Sequence, residues 1–71
     1  MQICEITGDY IQLNQFLKKE NIASSGGEAK RMIESGLVEV NQTTASEIRK
    51  KLRNGDVVTV HSVGEYTIAA K

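Results

Sequence analysis

Ser25-Gly26-Gly27-Glu28-Ala29-Lys30-Arg31-Met32-Ile33 gathers, in nine consecutive residues, groups suited to holding an anion. Ser25 with Glu28 three residues on forms a capping box: the hydroxyl accepts a free amide, and the carboxylate reaches back to another. Gly26 and Gly27 leave the amides of the first turn uncovered, and helix starts favour negative charge. The same two glycines also fit a second role, letting the interhelical turn pass close to a neighbouring helix. Ala29, Met32 and Ile33 share one face at i, i+3, i+4, which turns Lys30 and Arg31 away from it. A short helix with a dry face, two cations off that face and open amides at its start suits a phosphate backbone.

A second cationic segment is the densest charge in the chain: Arg49, Lys50, Lys51 and Arg53, anchored by Ile48 and Leu52. A charge run by itself is equally a solvated face. Lys30 and Glu34 stand at i,i+4, yet such pairs contribute only ~0.2–0.5 kcal/mol, too little to explain the placement of cations. Net charge is zero, but unevenly spread: residues 1–28 carry −2, residues 29–53 carry +3, and the remainder −1. A basic face on a neutral chain binds polyanions selectively rather than indiscriminately.

No constellation for covalent or acid–base chemistry accompanies these groups. Ser24 and Ser25 lack a neighbouring base, and the single histidine, His61, falls in a separate strand-like segment. His61 and Cys4 are too few ligands for a metal. Cys4 has no disulfide partner and reads as a buried strand thiol, in keeping with a reducing compartment. Tyr10 and Tyr66 are read as core or sheet-packing rings, the alternative being stacking on bases. The expectations are no enzymatic activity, no metal and no cofactor.

The elements that must carry these groups follow from the apolar periodicity. At 71 residues the chain has room for one small core, and a domain of residues 1–71 is expected. No apolar run approaches the ~20 residues of a membrane span, and no signal-peptide pattern opens the chain. Gln2 to Thr7 alternates as a strand. Leu13, Phe16 and Leu17 mark a helix over 13–20, ending near Asn21, and the second helix covers 25–35 and stops at Gly36. The period then changes to two, with Val38 and Val40 on one face. Residues 41–46 are polar and read as a loop, and Asn54-Gly55-Asp56 is a turn between further strands at 57–61 and 66–70. The fold class is α+β, two short helices packed on one face of a small, mostly antiparallel sheet. The expected core is Leu13, Phe16, Leu17, Ile22, Ala29, Met32, Ile33, Val38, Val40, Leu52, Val58 and Ile68.

Four segments in this order resemble a known family. They are Ile11-Gln12-Leu13-Asn14-Gln15-Phe16-Leu17-Lys18, Ser24-Ser25-Gly26-Gly27-Glu28-Ala29-Lys30, Val38-Glu39-Val40-Asn41 and Lys50-Lys51-Leu52-Arg53-Asn54-Gly55-Asp56-Val57-Val58. Together they are similar to the S-four RNA-binding domain, named after ribosomal small-subunit protein four and also called the alpha-L motif. The short length and the Ser-Gly-Gly-Glu-Ala-Lys version look most like the stand-alone bacterial members of the YaaA and YbcJ type. The resemblance implies a helix pair and a bent sheet that hold structured RNA mainly by its backbone. On the helix pair it implies RNA-facing roles for Gln12, Gln15, Lys18, Ser25, Lys30 and Arg31. On the sheet side it implies them for Asn41, Arg49, Lys50, Lys51 and Arg53. Two positions depart from the pattern: Gly26 stands where many ribosomal versions carry arginine, and Gln42 follows Asn41 where the family often has glycine.

The leading expectation is thus a small cytoplasmic, bacterial, monomeric module that docks structured RNA, ribosomal or transfer RNA, by shape and phosphate geometry. The alternative is a protein-interaction adaptor that keeps the fold and has lost strong RNA binding, and neither involves a membrane.

Overall fold

A computed structural model describes all of residues 1–71. The elements are β1 (Gln2–Ile6), β2 (Ile11–Gln12), α1 (Leu13–Lys19), α2 (Gly26–Glu34), β3 (Val38–Val40), β4 (Thr43–Thr44), β5 (Lys51–Leu52), β6 (Val57–Val60) and β7 (Gly64–Ala70). Five strands form a mixed sheet in the order β1-β7-β6-β3-β4, while β2 and β5 pair separately. Within the larger sheet β1 runs parallel to β7, and every other neighbour is antiparallel. The α+β architecture matches the expected class.

Period-two alternation builds the sheet. Val38 and Val40, Val58 and Val60, Tyr66 and Ile68, and Cys4 and Ile6 are all buried on one face. Register places Val40 opposite Val58, Val58 opposite Tyr66, and Cys4 opposite Ile68. The helices cover that face. Leu13, Phe16 and Leu17 of α1 are fully buried, and the Phe16 ring meets Tyr66 edge-on with centroids 5.3 Å apart. The opposite face is polar, with Glu39 bonded to His61 and Glu65 to Thr59.

Both helices end in the same way. Asn21, at φ 59°, follows α1, and its amide and that of Ile22 return to the Lys18 and Leu17 carbonyls. Gly36, at φ 78°, follows α2, and its amide and that of Leu37 return to the Ile33 and Met32 carbonyls. These paired bonds satisfy carbonyls left open at a helix end and require a left-handed residue, which Asn and Gly tolerate. They turn the chain sharply enough for α1 and α2 to lie side by side, and for α2 to feed straight into β3.

Several expectations are corrected. Residues 41–46 are not all loop: Asn41 and Gln42 form a two-residue turn, with φ 51° and 69°, that pairs Thr43–Thr44 against β3. Without a glycine and with two exposed threonines, that hairpin has no apolar alternation to announce it. β6 stops at Val60, so His61 lies in the turn rather than the strand. Ile22 and Met32 pack against the core but stay partly exposed, while Ile6, Ala23, Ala45, Val60 and Tyr66 complete it. Cys4 is buried, and burial pushes its thiol up to about 11, with the Glu20 carboxylate reinforcing the shift and Lys19 opposing it. Such a thiol stays protonated and inert.

Candidate nucleic-acid interface

The basic segment is locked to the start of α1. The Leu13 amide donates to the Lys50 carbonyl at 2.8 Å, and the Asn14 amide donates to the Ile48 carbonyl at 3.1 Å. These are two of the amides that a helix start leaves unpaired. β5 then pairs with β2, setting Lys51 opposite Gln12 and the buried Leu52 opposite Ile11. The chain therefore brings Gln12, at the start of α1, against the cationic run, although nearly forty residues of sequence separate them. Gln15 lies one turn further on, and its side-chain oxygen accepts the Gln12 amide at 3.2 Å.

Asp56 fixes the other end of the run. Its carboxylate accepts the Arg53 amide at 2.8 Å and the Asn41 side-chain amide at 3.1 Å. The Asn41 oxygen in turn accepts the Val57 amide at 2.9 Å. Most of the hydrogen-bonding capacity of Asn41 is therefore spent tying the β3–β4 turn to the start of β6. Asn41 and Lys50 border one cleft of about 340 Å³, with Thr43, Thr44 and Ser46.

On α2 the cap forms as expected on the Ser25 side: its hydroxyl accepts the Glu28 amide at 3.2 Å. Glu28 reaches one residue further back than a capping box requires, accepting the Ser24 amide at 2.8 Å rather than that of Ser25. Gly26 and Gly27 are exposed, and neither has a positive φ. A Cβ at Gly26 would meet nothing within 4 Å, and one at Gly27 would meet only the Ser25 hydroxyl, at 3.9 Å. Close approach to α1 does not explain these glycines. Lys30 and Arg31 are exposed while Ala29 and Ile33 are buried, so the helical phase is as read. Lys18 is likewise exposed.

Charge is balanced in sum but not in pairing. Of nine Lys and Arg residues, only Lys71 has a carboxylate within 4.0 Å, that of Glu5. Lys30 and Glu34 do not pair. Four of the nine acids are engaged elsewhere: Glu28 and Asp56 with backbone amides, Glu65 with Thr59, Glu39 with His61 at 2.7 Å. Lys18, Lys30, Arg31, Arg49, Lys50, Lys51 and Arg53 are thus free to meet an external anion. No hydrogen bond or ion pair links Lys30 or Arg31 to the 49–53 run.

Tyr10 departs from the expected packing role. It is 41% exposed, with the Lys51 ammonium 4.9 Å and the Arg53 guanidinium 5.9 Å from its ring centroid. The alternation of Lys51 and Arg53 about the buried Leu52 is the sequence signal for this cluster, since it sends both cations to one side of β5.

A helix pair whose start is bonded to a basic segment, set on a small mixed sheet, is the architecture of an S4 domain. The chain belongs to the S4 domain family, whose pattern matches residues 4–69. It is also similar to the probable ribosome maturation protein RlbA of Bacillus subtilis (strain 168). The two are 35% identical over 63 residues, which cover 89% of each chain. No helix is long and apolar enough to cross a membrane.

Proposed function

We propose that this protein is an RNA-binding module that docks structured RNA, ribosomal or transfer RNA, through its helix pair and the 49–53 segment. The observation that carries the reading is the set of unpaired cations. Eight of the nine Lys and Arg residues have no carboxylate partner, in a chain holding as many acids as bases. Exposed ion pairs contribute little to stability, so their absence costs the fold almost nothing and leaves cations available for phosphates. Few groups in the face can read base edges, so recognition proceeds by backbone geometry and shape. Similarity to a ribosome maturation protein favours ribosomal RNA as the first target to test.

Replacing Lys50 and Lys51 with alanine is the direct test. Both side chains are at least partly exposed, so the variant should keep the parent's circular dichroism and melting curve. Its affinity for a folded ribosomal RNA fragment should fall. The slope of log affinity against log salt should flatten by roughly 0.7–0.9 for each phosphate that the variant no longer neutralises. Equal affinity and slope in parent and variant would transfer the function to a protein partner.

A further inference from the structure

We infer that Tyr10, with Lys51 and Arg53, forms a platform for one unpaired nucleotide, the base stacking on the ring and its phosphate meeting the two cations. The inference rests on the RNA-binding reading and adds to it a preference for stems interrupted by a bulge or loop. Tyr10 belongs neither to the buried core nor to the partly buried residues packed against it. Its hydroxyl makes no hydrogen bond within the chain, in keeping with a ring that stands in solvent rather than in the core. The ring is held instead by the cations, at 4.9 Å and 5.9 Å, neither of which has a carboxylate partner. An aromatic ring beside free cations combines the two elements by which proteins hold single-stranded nucleotides, a stacking surface and backbone charge. An exposed cation–π interaction is weaker than base-on-ring stacking, so a base can share the ring without a large penalty.

The surroundings set the orientation. Tyr10 also borders a cleft of about 650 Å³ between β1 and α1, whose walls include Gln15, the acids Glu5 and Glu20, and the lysines Lys19 and Lys71. That volume is within the range of small-ligand clefts. The two acids and two lysines leave the wall without net charge, Glu5 being paired with Lys71, whereas Lys51 and Arg53 are unpaired and draw the phosphate. The base therefore lies on the cleft side of the ring and the phosphate on the Lys51 and Arg53 side. Gln15 spends its side-chain oxygen on the Gln12 amide, which leaves its NH₂ to donate to the base edge.

Two RNA stems of equal length serve as probes, one fully paired and one with a single bulged adenosine. Tyr10→Leu should weaken binding of the bulged stem by roughly 5- to 150-fold and change binding of the paired stem less than about twofold. Tyr10→Phe should bind both as the parent does. The chain has two tyrosines and no tryptophan, and Tyr66 is buried against Phe16. Quenching of tyrosine emission by the bulged stem therefore reports Tyr10 directly in the unaltered protein, and it should exceed quenching by the paired stem. Equal weakening on both stems, no weakening on either, or no quenching would overturn the platform while leaving backbone docking intact. A parent that binds neither stem would overturn both readings.

Discussion

Gly26 and Gly27 sit in the first turn of α2 with no steric or dihedral need to be glycine. Glycine in a helix costs roughly 0.5–1 kcal/mol relative to alanine, so two in succession are a local sacrifice. Open amides at a helix start, next to Lys30 and Arg31, are what the sacrifice leaves behind. Glu28 works against this, since it sets a negative charge near the same amides, but its carboxylate is turned back to the Ser24 amide. Gly26→Ala with Gly27→Ala should raise stability by a few tenths to about 1 kcal/mol, a rise of several degrees in melting temperature for a domain this size. The same variant should bind folded RNA more weakly, because two methyl groups now shield the amides. Higher stability with undiminished affinity would mean that no phosphate approaches this turn.

The β3–β4 hairpin shows at the level of elements what local pattern leaves unread. Its loop holds Asn41 at φ 51° and Gln42 at φ 69°, the double left-handed arrangement of the tight turns that match strand twist. Asparagine accepts this conformation readily, whereas glutamine is strained there. Gln42→Gly removes the strain and should stabilise the fold by roughly 0.5–1 kcal/mol net of the added chain entropy, read as a higher thermal midpoint. A lower midpoint would mean that the Gln42 side chain contributes something its exposed position does not suggest. Both helices are legible in the sequence because caps, 3.6-residue spacing and left-handed stops at Asn21 and Gly36 are local signals. β4 and β5 are not, because a two-residue strand has no period to detect. The parallel pairing of β1 with β7 joins opposite ends of the chain, and neither strand's own residues name the partner. Tyr10 reads as a packing ring for the same reason: its exposure follows from β2 pairing with β5, a tertiary arrangement. The cationic run and the phase of Lys30 and Arg31 are legible, being consequences of composition and helical spacing alone.

Across the whole molecule, most cations are left unpaired rather than neutralised, although Glu28 and Glu34 share α2 with Lys30 and Arg31. Glu39 and Glu65 lie on the sheet face opposite the helices, while α1, α2 and the 49–53 run carry the unpaired cations. The backbone of the run is bonded to the start of α1, and α1 packs against α2, so the two cation groups belong to one continuous layer. The longest dimension is 30 Å, about one turn of a nucleic-acid helix. If one stem meets both groups, the electrostatic contributions of Lys30 with Arg31 and of Lys50 with Lys51 must add on that stem. Each double alanine variant should then flatten the salt slope by roughly 1.4–1.8, two phosphates at the usual increment for each. The fourfold variant should flatten it by about twice as much, since cations meeting separate phosphates act independently. Titrations of one short stem at several salt concentrations measure all four slopes. A Lys30→Ala, Arg31→Ala variant with the parent's slope would confine RNA to the 49–53 side and leave the outer face of α2 for another partner.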